Sequence, residues 1–419
     1  MYNELISHLV NRIKTAHRAD CRSESLVAPI SHWLSNQAFD YGFDADEQVT
    51  LQHALDNFLL LHGLELQEVI GELPHPRPAE SQFDFIDLFA GIGGFNLALQ
   101  ANGGKCVFSC EWDKTAQATY FANYGKYPFG DINEFTSELI EDDEIDRLIP
   151  NHRILAAGFP CQPFSLAGVS ARTSRGQAHG FECKTQGTLF YSIARIARVK
   201  QPEVLYLENV KNIISHDGGN TIRVIIDELE NNISNGEDGK FNYVFKHQIV
   251  SSETLVAQRR QRCFMVCIRE DIAAELGAFE FPRFEGAPLP LRNALETLTD
   301  EEVAEYTISD ALWQGHINRS NRNRERNTGF VTGEANLDKP SNTIVARYGK
   351  DGKECLIPQG EGLNPRKLTK TECARLFGYP DNFILPQAKT PAYKLLGNSV
   401  VVPVVTRIAS SIVDYLGEE

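Results

Sequence analysis

The sequence predicts an α/β protein with a parallel sheet, a helical N-terminal extension and a smaller irregular lobe. Three observations predict it. From residue 83 short apolar strand candidates alternate with helical segments, the pattern of strand–helix–strand units joined by right-handed crossovers. Before residue 75 the apolar residues fall at helical spacing. After about residue 282 the alternation stops.

The elements follow in order. Leu5, Leu9 and Ile13 recur at helical spacing, and Leu51, Leu55, Phe58 and Leu59 do so again, so the acidic N-terminal segment is read as helices. Gly63 is placed to break one helix before Leu64–Ile70. Pro74-His75-Pro76-Arg77-Pro78 reads as a stiff linker, closing an extension over 1–78. Over 83–282 the strand candidates are Phe85–Phe89, Cys106–Glu111, Ile154–Ala157, Val204–Leu207 and Cys263–Ile268. Arg319–Arg326 carries four arginines among asparagines without an apolar period and reads as a loop. Residues 340–375 mix short β-like pieces with basic side chains, and a helical pattern resumes at Pro391. Residues 283–390 therefore read as a lobe inserted before a return, over 391–419, to the large domain.

At 419 residues the chain is long enough for two or three domains. No apolar run is read as membrane-spanning, and no basic-then-apolar leader opens the chain, so a cytoplasmic location without a membrane partner is expected. Nine scattered cysteines without a CxxC pair argue against a zinc site and a disulfide framework, so no metal is expected. The net charge of −15 first argues against a nucleic-acid partner. Its distribution weakens that objection. Residues 1–82 hold 5 basic and 12 acidic side chains, whereas 316–375 hold 12 basic and 7 acidic. Binding needs local positive potential, not a positive total.

Gly158-Phe159-Pro160-Cys161-Gln162-Pro163-Phe164-Ser165 carries the most chemistry. It sets a thiol on a loop just after the apolar run Ile154–Ala157. Cys161 reads as a nucleophile, a metal ligand or a buried filler. The metal reading lacks partners, and Pro-Cys-Gln-Pro is loop chemistry that weakens the filler reading. A nucleophilic role requires the site to stabilise the thiolate or deprotonate the thiol. Asp87-Leu88-Phe89-Ala90-Gly91-Ile92-Gly93-Gly94-Phe95 follows a strand and opens a helix. Its glycines allow close backbone approach to a ligand; the bland alternative is a tight turn. Glu111 lies about 20 residues on, where a carboxylate bonds ribose hydroxyls. In Gly130-Asp131-Ile132 the aspartate suits an adenine amine with Ile132 against the ring, or an ordinary helix cap. Glu208, in Tyr206-Leu207-Glu208-Asn209-Val210, ends an apolar run. Burial would let it donate as a neutral acid; the alternative is a salt-bridged strand end. Gln258, Arg260 and Arg262 share a face if their segment is a strand, aimed into a site or out as a basic edge.

Taken in order, these blocks resemble the bacterial DNA cytosine-5 methyltransferase family. The blocks are Phe89–Gly94, Pro160-Cys161-Gln162, Glu208-Asn209-Val210, Gln258-x-Arg260-x-Arg262 and Gly397-Asn398-Ser399-Val400. Arg366-x-Leu368-Thr369 with Glu372, Arg375-Leu376 and Gly378-Tyr379-Pro380 adds the block before the last. The likeness covers 83–419. Ala157–Ser170, Ala346–Gly352 and Gly397–Val404 are similar to the Dcm-like enzymes and their restriction-associated relatives. The resemblance implies a Rossmann-like S-adenosylmethionine-dependent methyltransferase fold. Residues 83–282 would form the catalytic and cofactor-binding domain, and 283–390 an inserted target-recognition domain.

It also implies the roles. Cys161 would attack C6 of a flipped-out cytosine, Glu208 would hold N3 and the exocyclic amine, Arg260 would bind the O2 side and Arg262 would support the site. S-adenosylmethionine would lie on Phe89, Gly91, Gly93, Glu111, Trp112, Asp131, Ile132, Pro160, Asn398 and Val400. Trp112 would stack on adenine or sit in the core. Duplex DNA, in a CCWGG or CCNGG site, would be met by Gln162, Ser165, Arg172, Arg175, Gln258, Thr343, Arg347, Lys350 and Lys353. Gly168–Thr188 would act as a lid. A monomer is expected, with a cognate restriction endonuclease only as a genetic partner. An RNA cytosine-5 methyltransferase and a DNA-binding regulator acting through the N-terminal segment are the rival readings.

Overall fold

The computed structural model describes residues 1–160 and 189–417. The chain divides into two compact units. One comprises Met1–Ile249, Arg262–Phe281 and Ile408–Glu419; the other comprises Val250–Gln261 and Pro282–Arg407. These limits differ from the expected ones in three places. The N-terminal helices belong with the sheet, 250–261 belongs to the second unit, and the return begins at Ile408.

The first unit is built on a six-stranded sheet in the order β2-β1-β3-β4-β6-β5. The strands are β1 (Phe83–Leu88), β2 (Gly104–Cys110), β3 (Ile154–Gly158), β4 (Val204–Val210), β5 (Tyr243–Ser251) and β6 (Gln261–Arg269). β1 pairs in parallel with β2 and β3, and β3 with β4. β6 runs antiparallel to β4, so the all-parallel expectation fails there. Only residues 252–260 join β5 to β6. That connection is shorter than the dozen or so residues a parallel crossover needs, so β6 turns back. β5 itself escapes the sequence reading because most of its length is exposed or half-buried, and Lys246, His247 and Gln248 interrupt its apolar pattern.

The strands β1, β3 and β4 are buried nearly throughout. Alternate residues point to opposite faces. One face carries Ile86, Leu88, Leu155, Ala157, Leu205 and Leu207 into a single core with Met265 and Ile193. On the other, Phe95 meets Tyr206 edge-on with ring centroids 5.0 Å apart. All of this aligns the C-terminal ends of β1 to β4, where ligands bind in such sheets.

The extension forms α1 (Tyr2–Ala16), α2 (Ser23–Ser35), α3 (Ala45–His62) and α4 (Leu66–Gly71). Asp44 and Glu47 make a reciprocal capping box at the start of α3, and Gly63, at φ 65°, ends it. Leu5, Leu9, Ile13, Leu51, Leu55 and Phe58 form the core of these helices. The proline-rich segment is not a free linker. His75 N donates to Asn123 O at 3.0 Å, and Arg77 Nη1 donates to Ser35 O at 3.0 Å.

In the second unit, the expected loop over Arg319–Arg326 is instead mostly helix, Asp310–Glu325. Its buried face is polar, so no apolar period marks it. His316 and Ser320, one turn apart, are fully buried. His316 Nε2 lies 2.9 Å from Asp351 O, and Ser320 exchanges two hydrogen bonds with the backbone of Thr332. A buried Arg366–Glu372 pair at 2.7 Å and the cap of Thr369 on Glu372 N fix the following helix, Lys370–Leu376. Helices Lys389–Asn398 and Val402–Leu416 close the chain. Together they are long and apolar enough to cross a membrane by composition, contrary to the sequence reading, but over half of that window is buried within the protein. Six of the seven described cysteines are buried free thiols, and no disulfide is present among the described residues.

Candidate active site

β1 ends at Leu88, and the chain turns through Phe89 (φ 54°), Gly91 (φ 55°) and Gly93 (φ 83°) into α5 (Gly94–Gln100). A left-handed phenylalanine is backbone strain of the kind that collects at ligand loops. Gly93 is obligatory: a Cβ there would lie 2.3 Å from Tyr124 Cε2, and Tyr124 Oη already donates to Gly93 O at 2.8 Å. At Gly91 a Cβ would meet nothing within 4 Å, so the loop is open on that side.

Glu111, at the end of β2, faces this loop. Its Oε2 accepts from Gly91 N at 2.8 Å and its Oε1 from Asp113 N at 2.7 Å. Burial pushes its carboxyl above the usual range. Trp112 is 79% exposed, which removes the core alternative. Asp131 Oδ1 accepts from Asn133 N at 3.0 Å and Asn133 Nδ2 at 2.8 Å, the turn-capping pattern. Ile132 is buried in the core beside it.

Sequence reading passed over Asp87. It is fully buried at the end of β1, with the Asn96 backbone and the Tyr120 hydroxyl nearby but neither in full hydrogen-bond geometry. Burial, then the nearby Glu111, raise its carboxyl well above the carboxylate range. An acid inside the apolar run Phe85–Phe89 was the available signal. A ligand with ribose hydroxyls, an amine and an aromatic ring suits this end of the sheet: acceptors at Glu111 and Asp131, an exposed indole, and an open glycine.

At the end of β3, Gly158 is in register with Glu208 of β4. Asn209 Nδ2 donates to Phe159 O at 2.8 Å and so fixes the chain as it leaves the sheet. Pro160 is exposed at that exit. Cys161, Gln162, Ser165, Arg172, Arg175 and the expected lid Gly168–Thr188 lie outside the described residues.

Glu208 is 8% exposed and ion-paired: Arg262 Nε lies 3.0 Å from its Oε1. The register explains the contact, since Arg262 stands opposite Val210, two residues along β4. The salt-bridged alternative is the one this geometry displays. Burial lowers the Arg262 pKa, and Glu208 opposes that shift.

The expected common strand face for Gln258, Arg260 and Arg262 is not formed, because β6 begins only at Gln261. Gln258 and Arg260 belong to the second unit. Arg260 Nη1 donates to Ile344 O at 2.9 Å, and its Nη2 to Gly397 O at 3.1 Å and Ser399 O at 2.8 Å. Its guanidinium lies over Phe377, 5.0 Å from the ring centre. Arg260 is thus a clamp on two backbone segments rather than an arm for a base oxygen. Gln258 is corrected likewise: it is fully buried, donating to Leu376 O and accepting from Ile344 N, both at 2.8 Å. Thr343 Oγ1 donates to Arg259 O at 2.7 Å. Arg347 and Lys350 are exposed, and Lys353 is half-buried. Asn398 is exposed at the end of its helix, and Val400 is buried.

Gly397 shows why this block needs glycine. A Cβ there would sit 2.3 Å from the backbone of Val345 and Ala346. Gly397→Ala is expected to lower stability by about 3 kcal/mol through overpacking against backbone that cannot rotate away. Thermal melting checks this.

A family model described as C-5 cytosine-specific DNA methylase matches residues 83–414. The chain is 42% identical over 361 residues to the type II methyltransferase M.SsoII of Shigella sonnei, covering 84% of this chain and 87% of that one. It is 38% identical over 405 residues to the DNA-cytosine methyltransferase of Escherichia coli K12, covering 86% and 84%. Among solved structures, the S. pombe Dnmt2 methyltransferase superposes with a TM-score of 0.54 at 18% identity, over 78% of this chain and 97% of that one. That likeness speaks for the fold.

Proposed function

This chain belongs to the C-5 cytosine-specific DNA methylase family, and on that premise we propose how it modifies DNA. It transfers a methyl group from S-adenosylmethionine to C5 of a cytosine flipped out of a short duplex site, CCWGG or CCNGG. The observation that carries the reading is the Glu208–Arg262 pair at the end of β4, in register with the strand that leads into Cys161.

C5 of cytosine is a weak nucleophile. The Cys161 thiolate adds to C6, which turns the ring into an enamine whose C5 carries electron density. S-adenosylmethionine supplies the methyl group as an electrophile. Glu208 accepts from the exocyclic amine and, once it has taken up a proton, donates to N3, which stabilises the charge that builds on the ring. Arg262, already at Glu208, takes the O2 side, and Arg260 keeps the backbone of Ile344, Gly397 and Ser399 in place. Water accepts the C5 proton, and the C6–sulfur bond breaks to restore the aromatic ring and the thiolate. Flipping the base costs a few kcal/mol, offset by contacts in the pocket.

Glu111 suits the ribose hydroxyls, Asp131 the adenine amine, Trp112 the adenine face, and the Phe89–Gly93 turn the remainder of the cofactor, with Pro160, Asn398 and Val400 assigned by the resemblance. Trp112→Ala should weaken S-adenosylhomocysteine binding about tenfold, the size of one lost stacking contact. In the unaltered protein, ligand should change the fluorescence of this exposed indole; a silent titration with measurable binding would remove Trp112 from the site.

Arg347, Lys350 and Lys353 are the second unit's donors for base edges or phosphates. The enzyme acts as a monomer in the cytoplasm, with a restriction endonuclease as a genetic partner. Bisulfite sequencing of DNA from cells expressing the chain tests the whole reading. Protected cytosines in one short sequence context are expected; unprotected DNA with methylated RNA would transfer the reading to the RNA enzyme.

A further inference from the structure

β2 is the edge strand of the sheet. The backbone groups that an edge strand turns outward need partners. Along β2 the residues 107, 109 and 111 find theirs outside the sheet, and they find them in order. Val107 O accepts from Tyr41 Oη at 2.5 Å. Ser109 N donates to His32 Nε2 at 3.1 Å. Ser109 O accepts from Phe129 N at 2.8 Å, and Glu111 N donates to Phe129 O at 2.9 Å. Two side chains of the N-terminal extension and one loop residue thus stand where a further strand would pair.

The chemistry of His32 fits this place. Because Ser109 N donates to Nε2, the ring proton sits on Nδ1, which donates to Ala28 O at 2.9 Å. The Ser109 hydroxyl, 3.1 Å away, then donates to the same Nε2. The ring is fully buried, which pushes its pKa down to about 3, so it stays a neutral acceptor. It packs on Phe129 at 4.7 Å between ring centres, and Phe129 stacks on Phe108 at 4.9 Å. Ser31 Oγ accepts from Tyr127 N at 2.9 Å, and Tyr2 Oη donates to Gly125 O at 2.6 Å. The extension therefore holds 125–129 and the end of β2 together. Those two segments run directly into Asp131 and Glu111.

We propose that the N-terminal extension is a built-in buttress of the cofactor pocket, and that His32 is its positioning residue for S-adenosylmethionine binding. The proposal rests on the cofactor reading above. Without the His32 acceptor, Ser109 N and its hydroxyl lose their partner, Phe129 loses its support, and the Glu111 carboxylate is set less well against the ribose.

The test uses the full chain and S-adenosylhomocysteine as the probe, titrated by calorimetry beside thermal melting of the unliganded protein. His32→Leu keeps the apolar volume but removes the acceptor. It is expected to raise the dissociation constant about tenfold, the effect of one buried donor left unpaired. The KM for S-adenosylmethionine should rise with it, while kcat at saturating cofactor stays unchanged. His32→Gln, whose amide oxygen can accept from Ser109, should recover most of the affinity. A lower melting temperature with unaltered probe affinity in His32→Leu would mark a purely structural histidine and overturn the proposal. Should that variant not fold, Tyr41→Phe decides: it removes only the hydroxyl on Val107 O, about threefold weaker probe binding is expected, and undiminished binding overturns the proposal. Absence of probe binding by the unaltered protein would sink the cofactor reading, and this inference with it.

Discussion

Cys161→Ser is expected to reduce methyl transfer by a factor on the order of 10⁴ or more, with S-adenosylhomocysteine affinity unchanged. The substitution alters one atom. A serine hydroxyl ionises far less readily than a thiol and is a weaker nucleophile toward an aromatic carbon, so the enamine does not form. Cofactor binding should persist because the acceptors assigned to it, Glu111 and Asp131, lie beyond β2, whereas the thiol follows β3. Tritium transfer to a CCWGG duplex measures the first quantity and calorimetry the second. A duplex carrying 5-fluorocytosine at the target sharpens the test. Fluorine cannot leave as a proton does, so the ring stays bonded to sulfur after methylation. The unaltered enzyme should form a denaturation-resistant complex and Cys161→Ser should not. Equal transfer by both proteins would remove Cys161 from the mechanism.

Much of this was readable from residues alone, for physical reasons that also mark where reading stops. The buried strands are near-continuous apolar runs because they are covered on both faces. That is why Phe85–Phe89, Ile154–Ala157 and Val204–Leu207 stand out and match β1, β3 and β4. β5 has no such cover, and its mixed pattern carries no strand signal. The helix Asp310–Glu325 fails for the opposite reason: its buried face uses His316 and Ser320, which satisfy backbone groups instead of filling an apolar core. Blocks of residues located the site, but not the division of labour within it. Arg260 and Arg262 have the same chemistry and lie two positions apart. Only the start of β6 between them, and the register that sets Arg262 beside Glu208, separates the clamp from the arginine at the catalytic carboxylate. His32 was invisible because its partner is the backbone of a strand distant in sequence, and no motif records an unpaired strand edge.

Glu208→Gln is expected to lower kcat by about 10²- to 10³-fold, the usual effect of removing one preorganised charge from a developing transition state. The amide keeps the shape of the carboxylate and can still face the amine and N3, but it cannot pass a proton to N3 as charge builds on the ring. The same change has a structural consequence. Arg262 is largely buried and loses its charged partner, and breaking a buried pair from one side costs about 3–5 kcal/mol, less if the amide oxygen still accepts. The two effects separate in a double variant. Glu208→Gln with Arg262→Met removes the buried charge and fills its volume, so the melting temperature should recover in part. Transfer should not recover, because neither side chain can now pass a proton to N3. Restored transfer in the double variant, or unchanged kcat in Glu208→Gln alone, would make the pair a strand-end salt bridge and nothing more. Chemistry at Glu208 predicts that stability and rate part company across these variants; packing alone predicts that they move together.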